Sequence, residues 1–511
     1  MKRLLGLFAL LAALAAIAAP VQSTVVTTKP PPVSSQIVTC VKTTDVDSLV
    51  AEYGLKPRFI YHRAINGFAA PIDDSTVKRL QSDPRVLFVE PDGHVALADQ
   101  TVGTGLIRMG ITNFPVAHID GGDHRINVNV AVLDTGIQLD HPDLNVVQAV
   151  DMTSVQNGGE DWNGHGTEVA GVIGALDNDF GVVGVAPGAR LWSVEVIGVA
   201  AQDQVWSLVL AGVEYVLEQS NQIQVVNCSF GNVGLAPYGA VHGAFAELVN
   251  QGIVVVAAVG NSRNDIAGPD GIFGTDDDIF PAALPEVSAV SAMNPTNDTI
   301  APWSNFSQIP RTNGTPAPGT LGLTNYVFSP GGAIDVAAPG TNILSTSTNS
   351  GYAYDSGTSF AAPHVAGLVA LYIAANGAPT NAAGVYAIRQ AIINNSLPQS
   401  QWRPNGQPFN PVTNPTGDPD TNPEPLAMPS ENWVPQPFIS SATNTPAGFE
   451  ISFPAVPGYD YTAQSSGSLA LTSQWSSLAS VAGTGSVTTV SVTDTNPVAP
   501  RFYRLARQPA P

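Results

Sequence analysis

Residues 357–364 read GTSFAAPH and place Ser359 at the start of a helical pattern that continues to residue 375. Two other glycine-flanked stretches each carry one reactive side chain. Residues 131–136 read AVLDTG and end a buried-strand pattern on Asp134, while residues 163–171 read NGHGTEVAG and open a helix with His165. A serine hydroxyl is a weak nucleophile unless an imidazole takes its proton and a carboxylate orients that imidazole. The three stretches therefore supply the parts of a Ser-His-Asp triad.

The region around these stretches, from about residue 126 to 396, alternates β-branched runs with helical patterns. This alternation predicts an α/β fold, a parallel sheet with helices on both faces. Strands are predicted at 128–134, 191–197, 225–230, 253–259 and 287–293, and helices at 202–218, 243–250 and 359–375. Ligands bind beyond the carboxyl ends of strands in such sheets, and Asp134 and Asn261 stand at such ends.

The chain order Asp, His, Ser is that of the subtilisin arrangement. Most of residues 37–396 resembles the subtilase family. The resemblance is carried by the three stretches around Asp134, His165 and Ser359, together with NCSFG at residues 227–231 and AAVGN at residues 257–261. The resemblance implies that Asn261 supplies the oxyanion-hole amide beside the backbone N–H of Ser359, and that Ser229, Phe230 and Gly231 pair with an extended peptide. It implies a serine endopeptidase that hydrolyses proteins through an acyl-enzyme.

Two positions depart from the family's usual pattern. Glu168 stands where subtilases often carry histidine, and Phe360 stands where methionine often follows the serine. Neither position takes part in acyl transfer, so the predicted triad is unaffected.

The resemblance extends to a structural calcium site, on DHPDL at residues 140–144 and LDNDFGV at 176–182. The implied ligands are the Asp143 carboxylate, the Asn178 side-chain oxygen and the backbone carbonyls of Leu176, Phe180 and Val182. A hard cation takes about six to eight oxygens, and a solvated turn is the alternative. A second acidic loop, DGIFGTDDD at residues 270–278, is either a calcium site or a solvated loop, because it lacks EF-hand spacing.

The beginning of the chain predicts export and a precursor. Residues 1–23 are typical of a secretory signal, since Lys2 and Arg3 precede an apolar run that is short for the alternative, a membrane anchor. Residues 24–100, with a small α+β pattern over 37–95, resemble the inhibitory propeptide of subtilases. This implies an intramolecular inhibitor that is removed by autoprocessing between about residues 95 and 105. The peptidase domain is then predicted at 101–398.

The end of the chain changes in composition twice. Residues 399–437 are rich in Pro and Asn and predict a linker. Residues 438–511 return to short alternating runs, which predict a small all-β sandwich with strands at 449–453, 459–463, 487–492 and 502–505.

Charge and cysteine usage limit the function classes. The chain has 41 acidic and 20 basic residues, a formal net charge of -21, which argues against a nucleic-acid partner. Cys40 and Cys228 fall on opposite sides of the predicted cleavage region, so no disulfide framework is expected. No later apolar run is long enough for a membrane span, and the mature protein is predicted to be extracellular. The alternative function is a secreted binding or adhesion protein on a subtilase scaffold that has lost catalysis.

Overall fold

The computed structural model describes residues 33–92, 100–232, 239–309, 326–468, 474–495 and 501–510. The chain divides into two units, residues 1–96 and 97–511. The predicted signal peptide lies outside the described residues, and so do residues 95–99 of the predicted cleavage region.

The first unit is a four-stranded antiparallel sheet in the order β2-β3-β1-β4, with two helices. Its elements are β1 (Val33–Cys40), α1 (Val46–Glu52), β2 (Phe59–Tyr61), β3 (Gly67–Asp73), α2 (Asp74–Gln81) and β4 (Val86–Pro91). Asp45 and Asp73 accept hydrogen bonds from backbone N–H groups in the first turns of α1 and α2, which begins each helix at that point. Val38, Leu49 and Phe68 are buried in its core. The predicted α+β unit is confirmed.

The second unit is built on an eight-stranded sheet in the order β11-β10-β9-β8-β5-β7-β6, with β12 beside β10. Only the β10–β11 pair is antiparallel in this described sheet. The strands are β5 (Asn129–Asp134), β6 (Val146–Asp151), β7 (Arg190–Glu195), β8 (Val225–Cys228), β9 (Val254–Ala258), β10 (Ser288–Asn294), β11 (Thr299–Ile300) and β12 (Val336–Pro339). Strands β8 and β9 are buried along their whole length, as expected when helices cover both faces of a parallel sheet.

Helices flank this sheet, which confirms the predicted α/β class. They are α3 (Thr104–Met109), α4 (His165–Gly174), α5 (Trp206–Glu218), α6 (Ala240–Asn250), α7 (Thr358–Asn376) and α8 (Ala382–Asn395); a hairpin of β13 (Ile343–Ser347) and β14 (Gly351–Asp355) precedes α7. Helices α4 and α7 contact each other and bring their N-terminal ends, with His165 and Ser359, into one region. Within the described residues, α7 is long and apolar enough to cross a membrane, and 89% of its most apolar window is buried inside the protein.

The C-terminal part is all β, as predicted, and forms two three-stranded antiparallel sheets, β15-β16-β19 and β18-β17-β20. The strands are β15 (Ser441–Thr445), β16 (Gly448–Ala455), β17 (Tyr459–Ser466), β18 (Ser476–Ala482), β19 (Thr488–Asp494) and β20 (Phe502–Pro509). Phe453 and Tyr461 are buried in the same hydrophobic cluster as the central sheet. These strands are therefore packed on the peptidase core.

Residues 399–437 differ from the predicted linker. Trp402 and Leu426 are at most 1% exposed, and they belong to the core of the second unit. Ala337 of β12 donates its N–H to Pro425 O, and the N–H of Ala427 donates to Ala337 O, each at 2.9 Å. The segment therefore continues the packed structure beside the sheet, although its composition is that of a linker.

Candidate active site

Asp134 and His165 meet at the carboxyl end of β5. Asp134 is the last residue of that strand and is 0% exposed, whereas His165 is the first residue of α4. The His165 Nδ1 lies 2.7 Å from Asp134 Oδ1, and the N–H of Thr135 donates to the same oxygen at 2.8 Å. A buried carboxylate in this contact fixes the tautomer and orientation of the imidazole.

A second carboxylate, Asp161, supports this pair. Its Oδ1 accepts from Thr135 Oγ1 at 3.0 Å, and its Oδ2 accepts from Thr167 N at 2.9 Å and Thr167 Oγ1 at 2.6 Å. Asp161 thus ties the loop after β5 to the first turn of α4. Sequence reasoning missed it, because Asp161 lies three residues before Gly164, the N-cap of α4.

The electrostatics of the site are dominated by acidic groups. Burial alone would lower the pKa of His165, but the charge and hydrogen bond of Asp134 outweigh it, and Glu168 and Asp161 add to the effect, so that the pKa rises to about 9. Burial, followed by repulsion from Asp355, raises the pKa of Glu168 to about 7. The imidazolium form of His165 is therefore stabilised by its surroundings.

Ser359 and Asn261 come together at the N-terminus of α7. Asn261 Oδ1 accepts from Thr358 N at 2.8 Å and from Thr358 Oγ1 at 2.9 Å, which orients the Asn261 amide. A Cβ atom placed on Gly357 would lie 3.4 Å from Asn261 Nδ2, 3.5 Å from Ser359 N and 3.6 Å from Ser359 Oγ. Two donors and one hydroxyl therefore surround a single small volume. Thr358, which sets the orientation of Asn261, was not predicted.

His165 lies at the same end of α7. Its ring makes an edge contact with Phe360, the residue after Ser359, with 6.1 Å between ring centroids. The structure thus brings Asp134, His165, Ser359 and Asn261 together from four separate segments.

The predicted substrate segment begins where β8 ends. Ser229 is 3% exposed, and its Oγ donates to Ser359 O at 2.8 Å. A Cβ on Gly231 would lie 2.9 Å from Phe280 O, so the close approach of that backbone requires glycine. Cys228 is fully buried, and burial raises its pKa, which fits a packing thiol.

The predicted calcium ligands also cluster. Asp143 is 0% exposed; its Oδ1 accepts from Asn178 Nδ2 at 2.9 Å, and its Oδ2 accepts from Val182 N at 3.0 Å. Burial raises the pKa of Asp143 to about 6. Phe180 lies in the same loop, with its N–H donating to Asn178 Oδ1 at 2.9 Å.

Gln100 joins this cluster. Its Nε2 donates to Leu176 O at 2.8 Å and Val182 O at 3.3 Å, so two of the predicted carbonyl ligands converge on one atom. A buried carboxylate with converging carbonyl and amide oxygens fits the preference of a hard cation. No local motif marks Gln100, which precedes Leu176 by 76 residues.

The second acidic loop is organised differently. Asp278 is 1% exposed, its Oδ2 accepts from Gly274 N at 2.7 Å, and burial raises its pKa to about 7. Asp277 accepts from Thr275 Oγ1 and from Asp270 N. Among the described residues, two groups of three His, Asp or Glu side chains have potential metal-binding atoms within 4.8 Å of one another. Neither group contains a residue of this loop.

Comparison with known proteins matches two family models, "Subtilase family" over residues 125–418 and "Peptidase inhibitor I9" over residues 42–98. Subtilisin NAT of Bacillus subtilis subsp. natto is 35% identical over 319 residues, 62% of this chain and 73% of the relative. Minor extracellular protease Epr of Bacillus subtilis (strain 168) is 31% identical over 331 residues, 63% of this chain and 45% of the relative. A solved cold adapted subtilisin-like serine proteinase is 25% identical, covering 61% of this chain and 92% of that one, with a TM-score of 0.43. Because the subtilase model spans more than half of the chain, this protein belongs to the subtilase family of serine endopeptidases and carries an inhibitor-type propeptide domain.

Proposed function

We propose that this endopeptidase is made as a secreted precursor, and that Asp134, His165 and Ser359 are its catalytic triad with Asn261 in the oxyanion hole. One observation carries the proposal: Asn261 Nδ2, Ser359 N and Ser359 Oγ lie 3.4–3.6 Å from one point beside Gly357. This is where a reacting carbonyl would need both a nucleophile and two donors for its oxygen.

The reaction follows from these groups. Ser359 Oγ attacks the peptide carbonyl carbon while its proton passes to His165, and Asp134 stabilises the resulting imidazolium. Asn261 Nδ2 and Ser359 N donate to the oxyanion. The carbon–nitrogen bond then breaks, His165 gives its proton to the leaving amine, and an ester remains on Ser359. Water attacks the ester carbonyl carbon as His165 takes a proton from the water. The bond between that carbon and Ser359 Oγ then breaks as His165 returns the proton to Oγ, which releases the acid and restores the Ser359 hydroxyl.

We propose that the substrate binds as an extended peptide along Ser229–Gly231. The contact between Ser229 Oγ and Ser359 O holds this backbone next to the nucleophile. Strand addition recognises main chain more than side chains, so broad sequence tolerance is expected among protein and peptide substrates.

We propose further that residues 24–100 inhibit the enzyme in cis until the chain cuts itself between residues 95 and 105. The inhibitor match over residues 42–98 supports this. Export is supported by the signal pattern and by the extracellular relative.

A serine-directed phosphonate tests the triad directly. We expect the matured enzyme to be labelled once, on Ser359, because only a serine next to a general base and two oxyanion donors reacts readily. Peptide mapping of the labelled protein gives the position, and His165→Ala should prevent labelling. A label on another serine, or equal labelling of His165→Ala, would show that the assignment is wrong.

Replacing Glu168 by a neutral residue should shift the acidic side of the pH profile of kcat/KM. The neutral form of His165 is the general base, so kcat/KM rises as His165 loses its proton, at a pH above the ordinary value of about 6.5 and toward 9. The negative charge of Glu168 stabilises the imidazolium form of His165. Glu168→Gln should therefore lower the apparent pKa at which kcat/KM rises, and the variant should be more active than the parent at pH values below the parent's apparent pKa. The measurement is kcat/KM against pH, with the exposed Glu247→Gln as the control. An apparent pKa that stays in place or moves upward contradicts this expectation.

We propose that Ca²⁺ is held by Asp143, Asn178 and the carbonyls of Leu176, Phe180 and Val182. The Gln100 amide, whose Nε2 faces two of these carbonyls, would turn to present its oxygen to the ion. Bound calcium would stabilise the folded state by about 3 kcal/mol at a concentration one hundred times its Kd.

Removing calcium should therefore lower the melting temperature of the full-length Ser359→Ala protein, and added Ca²⁺ should restore it. Asp143→Asn should abolish this response. Asp179→Asn is the matched control, because Asp179 is an exposed residue of the same loop. If Ca²⁺ changes the melting temperature of the two variants equally, the calcium site does not lie in this loop.

A further inference from the structure

Outside the proposed catalytic and calcium residues, two histidines and an aspartate meet in the loop HIDGGDH, residues 118–124. His118 Nε2 lies 3.0 Å and His124 Nε2 lies 3.8 Å from Asp120 Oδ2. Ligand atoms of the three side chains are all within 4.8 Å of one another. The two imidazole rings stack with centroids 3.9 Å apart and planes 5° apart. Both ring nitrogens thus lie near one carboxylate oxygen, and one of the two stacked rings has to rotate for both to direct a lone pair at the same ion.

We propose that His118, Asp120 and His124 bind a divalent transition-metal ion, with Zn²⁺ as the first choice. Imidazole nitrogens suit Zn²⁺ and its neighbours, whereas Ca²⁺ and Mg²⁺ prefer sites made of oxygen alone. Three protein ligands also match zinc sites that leave a fourth position to water.

The loop is held in this arrangement before any ion arrives. Asp177 Oδ2 accepts from Asp120 N at 2.7 Å and from Gly121 N at 2.8 Å. Gly122 N donates to Asp120 Oδ1 at 2.9 Å, which leaves Asp120 Oδ2 toward the histidines. The backbone of the loop and the Asp120 carboxylate are therefore ordered before binding, which lowers the entropy lost there.

The charge around the cluster favours a cation. Asp177 is 1% exposed and interacts electrostatically with both Asp120 and His124. Its Oδ1 is buried and has no hydrogen-bond partner among the described residues. Nearby Asp123 is paired instead with Arg125 at 2.7 Å, so it does not compete for the ion. A divalent cation would offset the negative charge of Asp120 and Asp177.

The cluster is reachable from solvent. The side chains of His118, Asp120 and His124 are 19%, 34% and 48% exposed. A cavity of about 400 Å³ borders both histidines and is also lined by Gly458 and Gly485, which lie in turns between the C-terminal strands. This cavity provides an entry path and room for water ligands.

The test uses the untagged, full-length Ser359→Ala protein in excess Ca²⁺, so that the oxygen-rich site is filled and self-digestion is prevented. We expect calorimetry to show one Zn²⁺ bound per chain, Co²⁺ to give the visible absorption of a nitrogen-ligated ion, and Zn²⁺ to raise the melting temperature. His124→Ala and Asp120→Asn should each weaken Zn²⁺ binding by at least about 10-fold. His242→Ala is the matched control, because His242 also contacts a carboxylate, that of Glu286, at 3.1 Å.

Three results would overturn the site: no Zn²⁺ binding, unchanged affinity in both His124→Ala and Asp120→Asn, or displacement of Co²⁺ by Ca²⁺. The melting temperatures of the variants without Zn²⁺ show whether they fold. His124 is about half exposed, so its truncation should leave the metal-free protein folded.

Discussion

Ser359→Ala is expected to leave the precursor uncut and to lower kcat by about 10⁶-fold, the magnitude measured when the nucleophile of subtilisin itself is removed. Without Ser359 Oγ, the acyl-enzyme cannot form and the precursor cannot cleave itself. Asp134, His165 and Asn261 remain in place. The measurement is the intact mass of the two purified proteins after incubation with calcium. The parent should lose a segment that ends between residues 95 and 105.

The control is Ser356→Ala, an exposed serine three positions before the proposed nucleophile, which should mature as the parent does. If Ser359→Ala matures equally well, another protease makes the cut, and the proposed autoprocessing is wrong. If the parent neither matures nor cleaves an added peptide, the binding or adhesion function on a subtilase scaffold replaces the proposed one.

The reactive residues could be predicted because short glycine-rich motifs surround them. Their strands and helices were predicted by β-branched runs and helical patterns, with errors at the ends. The strand predicted at 225–230 stops at Cys228, and Ser229, the next residue, donates its hydroxyl to Ser359 O. The helix predicted from 202 begins at Trp206, after a separate short turn. Strand β6, a partly exposed edge strand, was missed since it has no clear apolar alternation.

The supporting residues could not be predicted in the same way. Asp161 contacts Thr135 across 26 positions, and Gln100 contacts Leu176 across 76. Such contacts depend on how the sheet and loops are assembled, and no local pattern encodes them. Thr358 is within a recognised motif, yet its role depends on the distant Asn261.

Residues 399–437 have the composition of a linker, but they pack on the core of the second unit. Their many Pro and Asn residues lower the average hydropathy, but the few large apolar side chains are the ones that matter for packing. Trp402, Leu426 and Trp433 are all at most 5% exposed. A window average cannot detect sparse anchors of this kind, which pack as single residues against an existing core.

Gly357→Ala is expected to lower kcat by more than about 10³-fold while the fold is kept. The added methyl would lie 3.4 Å from Asn261 Nδ2 and 3.5 Å from Ser359 N, in the volume that the oxyanion needs. Loss of one oxyanion donor in subtilisin costs about 10²–10³-fold, and here both donors are obstructed. The methyl meets its neighbours at ordinary contact distances, and the φ of 171° at Gly357 is extended backbone, so stability should change by less than about 1 kcal/mol.

The comparison with Asn261→Ala separates a blocked volume from a general disturbance of the site. Asn261→Ala removes one oxyanion donor and should lower kcat less than Gly357→Ala does. The double variant should have a kcat only slightly below that of Gly357→Ala, because the methyl group already keeps the Asn261 amide from the oxyanion. Kinetics and melting temperatures of the three variants give the answer, with Gly243→Ala as a control at which a Cβ meets no atom within 4 Å. Additive losses, or a lower melting temperature for Gly357→Ala, would mean that the methyl distorts the start of α7, and the oxyanion would then have to be placed elsewhere.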